Sequence, residues 1–138
     1  AGDIATATYQ DGTTKVLVHS DANELNLPMM VLVNGNTASA AELFTASLKD
    51  FGKADVIGEQ TFGKGIMQNT FELPDGGAVT LTVATYQTTK GECYHGVGIT
   101  PDVIMEEDYE KVDFDHPNSE QDAQLKQAME LLQSKINS

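Results

Sequence analysis

Two residues in this chain are placed to do chemistry, Ser39 and Lys64. Ser39 lies between Ala38 and Ala40. There an apolar run, Met29 to Val33, gives way to the polar turn Asn34-Gly35-Asn36-Thr37 and then to an amphipathic stretch reaching about Phe51. A serine hydroxyl is a poor nucleophile until a base takes its proton, and it needs amide donors facing the oxyanion that forms. A helix start offers free N–H groups and the positive end of a dipole. The backbone amide of Ala40 is therefore a candidate oxyanion-hole donor, and small neighbours leave room for a substrate carbonyl. The plainer reading is a serine that merely begins a helix. Lys64 sits between Gly63 and Gly65, with Phe62, Ile66 and Met67 close in sequence. Apolar surroundings favour the neutral amine that a lysine base requires, and Ser–Lys is a known alternative to Ser–His–Asp. The plainer reading is a solvated lysine on a turn. His19, His95 and His116 stand in no evident relation to an acid and read as surface or loop residues.

Other residues are weighed and set aside. Gly58 to Lys64 satisfies Gly-x-x-x-x-Gly-Lys after a strand, but Gly65 stands where a phosphate loop needs Ser or Thr, and the segment that follows reads as a strand. Glu42 reads as a helix-start charge favoured by the dipole rather than as a catalytic acid. Cys93 reads as a bystander in a loop. Tyr86 and Tyr94 are candidates to line a substrate groove, Tyr86 equally a packing residue on a hairpin.

The elements that must position these residues follow from periodicity. Ile4 to Gln10, the turn Asp11-Gly12 and Lys15 to His19 predict an N-terminal hairpin. Met29 to Val33 is apolar on both faces and predicts a central, doubly covered strand. Asn36 or Thr37 can cap the following helix, whose face Ala40, Leu43, Phe44, Ser47, Leu48 and Phe51 should pack on a sheet. Gly52 suits its C′ position. Ala54 to Gly58 is a strand, which completes a parallel βαβ unit. Met67, Phe71 and Leu73, the turn Pro74 to Gly77, and Val79, Leu81 and Val83 predict an antiparallel hairpin. Thr88 to Gly98 reads as a glycine-spaced loop, and 104–118 as an acidic surface connection. Ser119 and Asp122 form a capping box for a last helix over 119–137, with Leu125, Ala128, Met129, Leu132 and Ile136 as its apolar stripe. These pieces divide one domain, 1–138, into an N-terminal hairpin and loop (1–27), the chemistry-bearing segment (28–103), the acidic connection and the helix.

The 138 residues suffice for one modest core, and 40% are hydrophobic. A net charge of −13 leaves no basic footprint for nucleic acid. No run of about 18 apolar residues is present to span a membrane, and Ala1-Gly2-Asp3 does not begin a signal peptide. No cofactor and no metal are expected, and one cysteine excludes an internal disulfide.

Taken in order, NGNTASAAE, TFGKGIMQ, LPDGGAVTLTVATY and GVGITPD resemble the carboxy-terminal processing, or tail-specific, proteases, from about Pro28 to Val103. The family pattern Ser-Ala-Ser-Ala-Ser-Glu falls on Thr37 to Glu42, with its nucleophile at Ser39. The family's Lys-Gly-x-x-Gln falls on Lys64, Gly65 and Gln68. The resemblance implies Lys64 as general base and Gln68 as the group holding its amine. It also implies an α/β, crotonase- or Clp-protease-like core, present in part, and protein carboxyl termini as substrates. An extracytoplasmic location and a PDZ domain in the parent chain are implied too. Four residues of extended strand span about 13 Å, so Lys64 and Gln68 can meet only if the chain bends or bulges near Gly65.

Two departures qualify the resemblance. No PDZ-like segment is present, and nothing between Ala1 and Pro28 matches the family's Arg-x-Asn-x-Gly-Gly turn, source of a second oxyanion amide. The expectation is the carboxy-terminal half of a catalytic core, weakly active or inactive by itself. The alternative is a catalytically dead subdomain acting as a binding or scaffolding module. A crotonase-like acyl-CoA enzyme shares only architecture. Self-association into a homo-oligomer is left open.

Overall fold

The computed structural model describes residues 1–137; Ser138 lies outside the described residues. The strands form two sheets. The first is antiparallel, in the order β2-β1-β6-β5, from β1 (Gly2–Tyr9), β2 (Thr14–Ser20), β5 (Ile66–Glu72) and β6 (Ala78–Gln87). The second is parallel, in the order β3-β4-β7, from β3 (Met30–Val33), β4 (Asp55–Gly58) and β7 (Val103–Ile104). Helix α1 (Ala40–Asp50) joins β3 to β4, and α2 (Ala123–Ile136) follows the irregular stretch after β7. Both predicted hairpins and the βαβ unit are present, in an α/β architecture.

The parallel sheet corrects one expectation. β3 is an edge strand, with Leu32 38% exposed, while β4 runs through the centre and buries Val56 and Ile57 completely. Nor is β3 covered on both faces, since Val33 is the only one of its four residues that is buried. β7, two residues long, overlaps the first residue of the predicted acidic connection and is too short to leave a periodic signal.

The N-cap of helix α1 is Ser39, not Asn36 or Thr37. Those residues are spent on the preceding turn: the Asn34 amide donates to Thr37 Oγ1 (3.0 Å) and the Asn36 amide to Asn34 Oδ1 (2.9 Å). The buried face also differs from the predicted stripe. Glu42, Thr45, Ala46 and Ser47 are buried, whereas Phe44 is 62% exposed. Small and hydrogen-bonded side chains let the helix approach β1, where the Ser47 hydroxyl donates to the Ile4 carbonyl at 3.0 Å. Gly52, at φ +65°, ends the helix as predicted, its amide donating to the Lys49 carbonyl at 2.9 Å.

Helix α2 is capped by Asp122, whose Oδ1 accepts from the Leu125 amide at 2.7 Å, rather than by Ser119. The Asn118 carbonyl takes the amides of Gln121 and Asp122, so a separate turn precedes the helix. Its docked face is centred on Gln124 and Ala128, while Met129 and Ile136 of the predicted stripe are exposed. Gln124 sets this phase by donating its side-chain amide to the Val33 carbonyl at 3.0 Å. Lys135 pairs with Asp55 at the far end.

A small core, Ala46, Tyr94 and Ile99 with Leu43 and Tyr86 packed on it, joins α1, β6 and the 94–99 turn. It lies directly behind the start of α1.

Candidate active site

Ser39 stands where β3, through the 34–37 turn, breaks into α1, with backbone φ +59° and ψ −119°. It is the one described residue other than glycine with positive φ. An L residue occupies this region only when its surroundings impose it, and such strain concentrates at functional positions. A sharp strand-to-helix turn of this kind lifts a serine hydroxyl clear of the backbone at a helix start. The Ala40 amide, next along the chain, donates to no acceptor among the described residues, as an oxyanion donor must before substrate arrives.

What imposes the Ser39 conformation is Glu42. Its side chain is fully buried, and its carboxylate accepts four hydrogen bonds. Oε2 takes the amides of Ser39 and Lys64, both at 2.8 Å. Oε1 takes the Gly63 amide and the Thr61 hydroxyl, both at 2.6 Å. Because one oxygen serves both amides, the backbone nitrogens of Ser39 and Lys64 can be no farther apart than twice 2.8 Å. Two residues 25 positions apart in sequence are thereby held within a side-chain length of each other. Reading Glu42 as a helix-start charge locates it correctly, in the first turn of α1. Its contact with the Ser39 amide is local, three residues back, but its other partners lie 19 to 22 residues away, which no local pattern encodes.

The Lys64 loop is held from behind by the 94–99 turn. The Gly96 amide donates to the Gly63 carbonyl at 2.8 Å, and the Phe62 amide to the Thr37 carbonyl at 2.9 Å. The two backbones approach so closely that a Cβ on Gly65 would lie 2.9 Å from the His95 nitrogen. Gly98, at φ +81°, faces Thr61 with no room for a side chain. His95 Nδ1 lies 3.2 Å from the Gly63 carbonyl, a structural contact on this turn.

The lysine side chain itself is exposed, as is Gln68 on β5, and no hydrogen bond joins the Lys64 amine to Gln68 or to the Ser39 hydroxyl among the described residues. The structure thus brings together the backbones of Ser39, Ala40 and Lys64, and it leaves Gln68 apart. The irregularity predicted near Gly65 is found farther on. The register between β5 and β6 shifts between Met67 and Gln68, whose partners are Ala84 and Thr82, so the extra residue is Val83 on β6.

Tyr94 is a core residue, although it borders a cavity of about 280 Å³ together with Ala46, Lys49 and Ile99. It is 3% exposed in the core, and its hydroxyl donates to the Ser39 carbonyl at 3.4 Å. Burial, and then the nearby Glu42 charge, push its phenol well above the usual tyrosine range, so it remains a donor. Tyr86 packs against the same core. Cys93 is free and exposed.

Comparison with known proteins agrees with this geometry. The sequence profile of Peptidase family S41 matches residues 2–105. A carboxyl-terminal-processing protease of Synechocystis sp. is 37% identical over 129 residues, which is 94% of this chain and 30% of that protein. The carboxy-terminal processing protease CtpA of Bacillus subtilis is 41% identical over 113 residues, 81% of this chain and 24% of that protein. Among solved structures, a photosystem II D1 C-terminal processing protease superposes with a TM-score of 0.71 at 38% identity, covering 76% of this chain and 28% of that one. The chain therefore spans less than a third of the length of these relatives.

Proposed function

Because this chain belongs to peptidase family S41, we propose that it carries the nucleophile and base of a serine endopeptidase that cleaves proteins near their carboxyl termini. The observation that carries this reading is the single Glu42 oxygen shared by the amides of Ser39 and Lys64, beside a Ser39 backbone at positive φ.

In this mechanism the neutral amine of Lys64 takes the Ser39 Oγ proton as Oγ attacks the scissile carbonyl. The oxyanion of the tetrahedral intermediate receives a hydrogen bond from the Ala40 amide and the favourable end of the α1 dipole. The Lys64 ammonium returns the proton to the leaving nitrogen as the C–N bond breaks, leaving an acyl ester on Ser39. Water, deprotonated by the same amine, hydrolyses that ester. Gln68 would hold the lysine amine once a substrate closes the site, because catalytic hydrogen bonds often tighten only in the complex.

The substrate on this reading is an unstructured polypeptide end. An extracytoplasmic compartment is part of the same reading, supported by the chain's 38% identity over 107 residues to a C-terminal processing peptidase of Tetradesmus obliquus named as chloroplastic. No helix among the described residues is long and apolar enough to cross a membrane. A PDZ domain elsewhere in the parent polypeptide would capture the substrate tail, and self-association into a homo-oligomer is a further expectation. Fluorophosphonate labelling tests the reading. The complete gene product should be labelled at Ser39, and labelling should vanish in Ser39→Ala and in Lys64→Ala. A folded protein that resists labelling would point to the inactive scaffolding module instead.

A further inference from the structure

The backbone of Ser39 is held on both sides of its Cα. Its carbonyl accepts from the Tyr94 hydroxyl at 3.4 Å, in addition to the Leu43 amide within α1 at 3.0 Å. Its amide is held by Glu42, and Glu42 is in turn held by Thr61. Thr61 is 4% exposed, and its hydroxyl has two partners: the Ile99 amide donates to Oγ1 at 2.7 Å, and Oγ1 donates to Glu42 Oε1 at 2.6 Å. An amide can only donate, so the hydroxyl's one proton is directed at the carboxylate. The backbones of Thr61 and Ile99 are also tied, the Thr61 amide donating to the Ile99 carbonyl at 3.2 Å. The 94–99 turn therefore reaches Ser39 by two routes, one through Tyr94 and one through Ile99, Thr61 and Glu42.

We propose that Thr61 is a positioning residue for the Ser39 site, transmitting the placement of the 94–99 turn through Glu42 to the amides of both Ser39 and Lys64. The proposal rests on the reading of Ser39 as nucleophile. Thr61 touches neither the hydroxyl nor the amine. Its hydroxyl fixes the rotation of a carboxylate whose other oxygen sets the spacing between them. A buried carboxylate short of one donor turns or shifts to recover it. Any such movement displaces both amides together, and small displacements of catalytic groups are costly. Tyr94 and the Gly63 amide also face this carboxylate, and changing Thr61 alters the chemistry of neither, so the substitution removes one hydroxyl only.

The test compares Thr61→Val, which keeps the shape and removes the hydroxyl, with Thr61→Ser, which keeps the hydroxyl and removes the methyl, in the complete gene product. Thr61→Val should slow Ser39 fluorophosphonate labelling and kcat on an unstructured peptide with a free carboxyl terminus by roughly tenfold to a hundredfold. KM should stay within about threefold, and Thr61→Ser should recover most of the lost rate. Should Thr61→Val not fold, Thr61→Ala takes its place, with the same expected loss. Near-wild-type labelling by the hydroxyl-free variant would overturn the proposal, as would equal losses in the serine and valine variants, which would assign the effect to packing. Failure of the unsubstituted protein to be labelled sinks the nucleophile reading and this inference with it. Labelling that is indifferent to Thr61 sinks the inference alone.

Discussion

At the scale of single residues, Glu42 does work that its place in the sequence conceals. Removing its carboxylate leaves the amides of Ser39, Gly63 and Lys64 without an acceptor. Buried donors left unsatisfied cost about 1–3 kcal/mol each. Glu42→Ala should therefore lower the unfolding free energy by about 3–5 kcal/mol, read from urea denaturation, and abolish Ser39 labelling in whatever fraction remains folded. A loss under about 1 kcal/mol would mean that the amides find other partners. Ser39 gives a second prediction. Its backbone at φ +59° is strained for any residue with a Cβ. Ser39→Gly should consequently be more stable than Ser39→Ala by about 1 kcal/mol, although both lack the hydroxyl. Equal stabilities would show that the elbow is relaxed. The settings of the proposed Ser39, Lys64 and Ala40 site were legible in the sequence because each is local: a strand-to-helix turn, flanking glycines and a helix start. The linking roles of Glu42 and Thr61 were not, because most of their partners come from distant turns. The polar core tyrosine was missed for the same reason, Tyr94 looking like a loop residue until the fold wraps around it.

At the scale of elements, α1 is positioned at both ends by polar contacts as much as by apolar burial. At its carboxyl end Lys49 donates to the Thr100 carbonyl at 2.6 Å and pairs with Asp102 Oδ1 at 2.9 Å. Asp102 also exchanges hydrogen bonds with Val56 of β4, so it links helix, sheet and the start of β7. Burial works against the Asp102 charge, but the hydrogen bonds from Lys49 and Val56 outweigh it and hold the carboxyl below its ordinary value of 3.8. A carboxyl lowered on folding contributes stability above its unfolded value and loses it as pH falls through the folded one. Asp102→Asn should thus be less stable than the unsubstituted chain at neutral pH. The difference should shrink as pH drops below about 3.8, followed by thermal denaturation across that range. A gap that stays constant with pH would remove the charge from the explanation. The hairpins and the βαβ unit were readable because strand and helix periods are local. The neighbours of β3, the phase of α2 and the strand β7 were not. Pairing partners and docking contacts such as Gln124 to the Val33 carbonyl arise only when separate elements meet.

At the scale of the whole molecule, the proposed nucleophile, base and one oxyanion donor lie in a chain that spans less than a third of the length of its relatives. Loss of one oxyanion donor costs about 10²–10³ in turnover. Assayed by itself, the 138-residue chain should hydrolyse peptides far more slowly than about 1 s⁻¹. Turnover at that rate, abolished by Ser39→Ala, would show that the site is already complete. The β5–β6 hairpin carries a different consequence. From Gln68 to Glu72 and from Ala78 to Thr82 it is exposed on both faces, and Phe71, Val79 and Leu81 lie bare on it, as Val16 and Val18 do on β2 at the opposite edge of the same sheet. Adhesive strips of this sort are kept dispersed in dilute buffer by the mutual repulsion of molecules bearing −13 each. Sodium chloride at about 1 M shrinks the reach of that repulsion to roughly 3 Å. Light scattering should then rise with salt, and a lysine at Phe71 or Leu81 should quench the rise.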